Sequence, residues 1–145
     1  MNWKVASWLA FLALVGTIMV MAMTNSLFAS HPLLIGIQAL AFMLMIWARV
    51  HLGSRSFHAG ANPTQGGLIT TGPYRFVRHP IYASIVYFLV ISLVTHLSIR
   101  TGMLFLAACF FVAIRMIAEE RLLVEMYPDY SSYAARVRRV VPFLL

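Results

Sequence analysis

The residues best equipped for chemistry fall in two short stretches. The first reads Gly66-Gly67-Leu68-Ile69-Thr70-Thr71-Gly72-Pro73-Tyr74-Arg75-Phe76-Val77-Arg78-His79-Pro80-Ile81-Tyr82. Its glycines permit backbone conformations that bring N–H groups close to a ligand, and Pro73 and Pro80 stiffen the turns. Pro80 is also a good first helical residue. Arg78 and His79 would therefore stand at a helix N-terminus, where the dipole favours an anion. Arginines, a histidine and a tyrosine among flexible glycines suit an anion-binding lid. A cytoplasmic loop that only carries the positive charges of membrane topology fits the same composition.

The second stretch is Glu119-Glu120, with Arg115 one turn earlier. All four acids of the chain lie beyond Ile114. A charged side chain near hydrocarbon costs about 2.5–3.5 kcal/mol on insertion scales, so Arg115 and the glutamates should face protein or a wet cavity. A salt bridge between Arg115 and Glu119 at i, i+4 would account for them structurally.

The elements that must position these groups are apolar helices. Of 145 residues, 61% are hydrophobic and 10% charged, a composition for a chain whose main solvent is lipid. Four membrane spans are expected at about residues 5–24, 32–48, 80–97 and 101–118. Trp3, Lys4 and Trp8 flank the first as interfacial anchors, and its length and lack of a small-x-small site argue against a signal peptide. Only Ser98, Ile99 and Arg100 separate the third and fourth, which must form a tight antiparallel hairpin. The midpoint of that hairpin is near Ile99, so His79 and Glu119 should emerge level at one end. Beyond Pro128, Asp129 is a candidate N-cap, and Tyr130, Tyr133, Val137 and Val140 recur at helical spacing up to Pro142. The expected fold is thus all-α, a single membrane domain over 1–145 with four spans, a motif loop at 49–79 and a C-terminal amphipathic helix within segment 119–145. That helix would either lie on the membrane or cap the bundle.

Charge supplies the orientation. Ten Arg and one Lys against four acids give a net charge of +7. Arg49, Arg55, Arg75 and Arg78 lie between spans two and three, and Arg121, Arg136, Arg138 and Arg139 follow span four. The segment from Asn25 to His31 has no Lys or Arg. Both termini and the motif loop are therefore expected to be cytoplasmic, with the lipid bilayer as the main partner and no role for nucleic acid.

Together these motifs resemble the isoprenylcysteine carboxyl methyltransferase superfamily, which includes the phospholipid N-methyltransferases. The resemblance rests on Leu68 to Arg75, Arg78-His79-Pro80-Ile81-Tyr82, Glu119-Glu120 and the tail from Tyr127-Pro128-Asp129-Tyr130 to Tyr133, and covers about Trp47 to Phe143. It implies an S-adenosylmethionine site formed by the last two spans, the motif loop and the C-terminal segment. Gly72, Tyr74, His79, Pro80, Tyr82 and Glu120 carry over as cofactor-binding positions. Arg78, Glu119 and Glu120 carry over as catalytic ones, Arg78 holding an anionic group through a two-pronged contact. The implied acceptor is lipophilic, first the carboxylate of a prenylated cysteine and second a phospholipid amine. Members usually carry glycine two residues after the motif tyrosine, where this chain has Ser84.

Other signals point elsewhere. Cys109 is the single cysteine, so no disulfide framework exists, and no metal site is expected, because His51 and His58 lack companions at ligand spacing. His31 and His96 suit the opposite interface. Arg49, Arg55 and Phe57 could shape an entrance, and interfacial anchoring suits the two arginines better. A small proton-coupled transporter would want an acid within a span, which spans one to three lack. A non-catalytic scaffold would bind no cofactor.

Overall fold

Apolar runs bounded by caps define most of the helices. In the computed structural model, which describes residues 2–53 and 67–142, α1 spans Trp3–Met23, α2 Pro32–Leu52, α3 Pro80–Thr95, α4 Ile99–Met126 and α5 Tyr130–Arg136. The expectations for Arg55, Phe57, His58 and Gly66 lie outside the described residues. Asn2 caps α1 by accepting from Lys4 N and Val5 N. His31 caps α2 through Nδ1, with Pro32 in the first turn. Ser98 caps α4 by accepting from Thr101 N. Each cap answers backbone donors that the first helical turn leaves open.

The main helix pairings are α1 with α4 and α2 with α3, while α3 and α4 join the two pairs. The apolar core lies where Leu14 and Met21 of α1, Tyr82 and Leu89 of α3, and Ala108 and Val112 of α4 meet. Much of the outer surface is apolar: Leu12, Met19, Leu40, Met43, Leu106 and Phe110 all stand exposed. That is the surface expected of helices facing lipid.

Helices α1, α2 and α4 are long and apolar enough to cross a membrane; α3 is apolar but has only 16 residues. It therefore rises about 24 Å, short of a hydrocarbon core of about 30 Å. Helix α4, with 28 residues, rises about 42 Å and so carries Glu119 and Glu120 past the apolar stretch. The link between α3 and α4 is His96 to Ser98, close to the expected hairpin turn.

The C-terminal helix departs from expectation. It stops at Arg136, and Val137 is already extended, so Val137 and Val140 do not continue the helical face. Asp129 precedes it with helical backbone angles and no side-chain capping bond. The reason is a competing partner. The tail pairs in parallel with the motif loop, Val77 opposite Arg138, and Arg78 N and His79 N donate to Arg138 O (2.7 Å) and Arg139 O (3.0 Å). Buried Tyr130 and Tyr133 hold α5 against the bundle, as a cap would.

A polar knot fastens the end of the bundle away from the motif loop. Buried Gln38 accepts from Ala29 N at 3.0 Å and donates to Leu27 O at 3.0 Å and to Ser92 Oγ at 3.1 Å. His96 Nε2 meets Phe28 O at 2.8 Å. The α1–α2 link is thereby tied to both α2 and α3. Gln38→Leu leaves Ala29 N and Leu27 O without this side chain. It should destabilise the protein by about 1–2 kcal/mol, the upper range for polar contacts between membrane helices. Thermal unfolding in detergent measures the loss, and Ser92→Ala should cost less.

Candidate functional site

The motif loop enters α3 through a 3-10 turn, Gly72–Arg75, that buries Pro73 and Tyr74. Gly72 has φ +59, and a Cβ at this position would collide with the imidazole of His51 at the end of α2. Glycine is required twice over, by its backbone angle and by the close ring. His51 is itself placed by Trp47, through its ring edge and through Nδ1 to Trp47 O at 3.2 Å. Tyr133 of α5 donates to Tyr74 O, fixing the far side of the turn.

Two residues beyond the loop's β-bridge residue Val77, His79 stands immediately before α3, its side chain almost fully buried. Its Nε2 lies 3.1 Å from Glu120 Oε1, and its Nδ1 lies 3.8 Å from Glu119 Oε2. The expected level emergence of His79 and the glutamate pair is met. Arg78 Nη1 reaches Glu120 Oε1 at 3.1 Å. Arg139 grips the same carboxylate by a fork, Nε to Oε1 and Oε2 at 3.1 Å and Nη2 to Oε2 at 2.8 Å. The anion that Arg78 and His79 gather at the head of α3 is therefore the chain's own Glu120.

The two glutamates differ sharply. Glu120 is mostly enclosed, with 12% of its side chain exposed, whereas Glu119 keeps 34%. Burial alone would raise the Glu120 carboxyl, but hydrogen bonds from His79 and Arg139 and the charges of His79 and Arg78 prevail and lower it to about 2. Around Glu119 stand three tyrosines. Burial, followed by the charge of Glu119, pushes the Tyr74 hydroxyl well above its ordinary range. Burial and then the charge of Glu120 do the same for Tyr130, with the charge of Arg78 opposing them. Tyr82 stacks obliquely on His79, ring centres 5.6 Å apart.

All the sequence-predicted positions thus gather at one end: Gly72 and Tyr74 in the turn, Arg78, His79, Pro80 and Tyr82 at the head of α3, and Glu119 and Glu120 on α4. Arg115, weighed from sequence as an i, i+4 partner of Glu119, donates to Tyr82 Oη and to Ser7 O. Ser84 is fully buried and turns its hydroxyl back onto Ile81 O at 2.7 Å, so it packs as a small residue. Sequence reasoning missed Arg139, counted only as topological charge, and His51, tested only as a metal ligand. Nothing local in the sequence signalled either.

These helices and this charged end define a multi-pass membrane protein with a polar site at one end of its bundle. The chain belongs to the isoprenylcysteine carboxyl methyltransferase (ICMT) family, which it matches over residues 33–125, and which is a family of methyltransferases. No curated protein and no solved structure matches it. The matched segment starts in α2 and ends in α4, so it contains the whole site except Arg139 and α5.

Two outcomes check this geometry. Gly72→Ala should cost about 1–3 kcal/mol of stability, and adding His51→Ala should recover the part due to the collision while leaving the part due to φ. Unfolding of the single and double variants separates the two. The lowered Glu120 carboxyl sets a pH window. Its folded value lies below its ordinary 4.5, so its stabilising contribution is complete above that value and fades as pH falls toward about 2. Melting temperature should fall through this window in the native protein, and Glu120→Gln should flatten the slope.

Proposed function

We propose that this chain transfers the methyl group of S-adenosylmethionine to a lipophilic acceptor, first of all the carboxylate of an isoprenylated cysteine or a similar group. The observation that carries the reading is positional. Residues Gly72 to Tyr82 and Glu119-Glu120, some forty positions apart within the family segment, meet at one end of an apolar bundle.

The donor set suits this cofactor, which bears an amino group, a carboxylate, a ribose diol and an adenine ring. Glu119 offers a partly open carboxylate to the amino group or the diol. The Gly72 backbone, Tyr74, Pro80 and the His79 and Tyr82 rings would line the remainder. Bound there, the cofactor supplies a methyl group already activated on a sulfonium.

The chain's work is then positioning. A nucleophile must be held in line about 3–3.5 Å from the methyl carbon. A carboxylate acceptor has no proton to lose; an amine does, and Glu119 and His79 are the groups placed to take it. Arg78 and Glu120 serve this reading as the charge pair that seats His79, with Glu119 as the ligand-facing acid. Helices α2 and α4 each pack on α3 without extensive contact with one another among the described residues. A lipid chain could enter along that side while the polar cofactor arrives from water. In this reading α3 makes a fourth crossing, and the positive-inside rule puts the site and both termini in the cytoplasm.

Calorimetric titration of the purified protein with S-adenosylhomocysteine tests the proposal. Wild type should bind. Glu119→Gln should weaken binding about tenfold or more, the scale of a lost charge-assisted hydrogen bond, with little change in melting temperature. Glu120→Gln should lower the melting temperature first. Absence of wild-type binding would overturn the proposal.

A further inference from the structure

The buried arginine of α4 connects the site to a helix outside the family segment. Arg115 is 6% exposed. Its Nε donates to Tyr82 Oη at 3.1 Å, and its Nη1 donates to Ser7 O at 3.0 Å. Its guanidinium lies 5.0 Å from the ring centre of Phe11, one turn after Ser7 on the same face of α1. The ring of Tyr82 is 5.7 Å from it on the other side. The plane of one guanidinium thus sits between α1 and α3, and α1 lies wholly outside residues 33–125.

We infer that Arg115 is a positioning residue that sets the direction of the Tyr82 hydroxyl and makes α1 a working part of the site. The reason is hydrogen-bond polarity. A guanidinium has donors and no acceptor. The Tyr82 oxygen therefore accepts from Arg115, and its own O–H must point away from the guanidinium, with Glu119 the carboxylate whose charge bears on it. Tyr82 in turn packs on His79, whose imidazole faces both glutamates. The Ser7 carbonyl fixes the other prong of the fork, so a shift of α1 would turn the guanidinium and with it the hydroxyl. Lysine cannot reproduce this, because a single ammonium lacks the planar two-pronged geometry.

This inference rests on the cofactor reading above, and its test separates the two. S-adenosylhomocysteine affinity is measured for Arg115→Gln, Tyr82→Phe and the double variant, with melting temperatures in parallel. Arg115→Gln should weaken binding about tenfold in the wild-type background and by less than twofold when Tyr82 is already Phe. Equal weakening in both backgrounds overturns the inference, since a merely structural arginine would act without regard to the hydroxyl. Arg115→Lys, which keeps the charge if Arg115→Gln folds poorly, should show the same dependence on Tyr82.

A second readout needs no ligand. With 3-fluorotyrosine at position 82, the fluorine resonance should move in Arg115→Lys and stay in place in Arg100→Gln, at the opposite end of α4. An unmoved resonance in Arg115→Lys overturns the inference. If wild type binds no S-adenosylhomocysteine, the cofactor reading falls, and the resonance still decides whether Arg115 governs Tyr82.

Discussion

One carboxylate holds the working end of this protein together. Glu120 receives Arg78 and His79 from the head of α3 and Arg139 from the tail, so three residues from two separate stretches of chain converge on two oxygen atoms of α4. A mostly enclosed carboxylate is costly unless it is paired and hydrogen-bonded. Here it is paired on every side, and the main chain repeats the connection through Arg78 N and His79 N to the tail carbonyls. Side-chain charge and backbone bridge fix the same register between loop and tail. Moving either by one residue would break both.

That arrangement divides labour between adjacent acids. Successive residues on a helix point about 100° apart, so Glu119 and Glu120 share His79 but otherwise face different surroundings. Glu120 turns to the cations, and Glu119 turns to the tyrosines with a third of its side chain open. Enclosing one acid leaves the other partly open beside His79. Neutralised surroundings matter here, because a cationic ligand can approach Glu119 without meeting two competing carboxylates.

Much of this was legible in the sequence, for identifiable reasons. The spans follow from apolar length, and the level placement of His79 and Glu119 follows from counting residues away from a short hairpin. The motif residues then had to cluster. The limits of α5 were not legible, because Val137 and Val140 continue a helical pattern that the extended pairing with Val77 overrides. Long-range backbone pairing leaves no local mark. Arg139 was hidden for the same reason: in a chain with so many arginines, a topological charge and an ion-pair partner look alike until the tail has been placed. Arg115 was the opposite case. It was expected to face protein or a wet cavity; it faces protein, and its partners come from α1 and α3 rather than from its own helix alone.

The division of the bundle explains why a short α3 suffices. Its first turn carries His79 and Tyr82 to the site, and its last turns are held by the Gln38–Ser92 knot, so both ends of a helix of about 24 Å are pinned by polar contacts. Helix α4 needs the greater length because it must pass the apolar layer before presenting its acids. The two helices therefore differ in length for one reason. The site lies where the head of α3 meets the part of α4 that follows its most apolar stretch. Such a seam offers water on one side and lipid-facing helices on the other, the boundary at which the proposed polar methyl donor and apolar acceptor would share one set of residues.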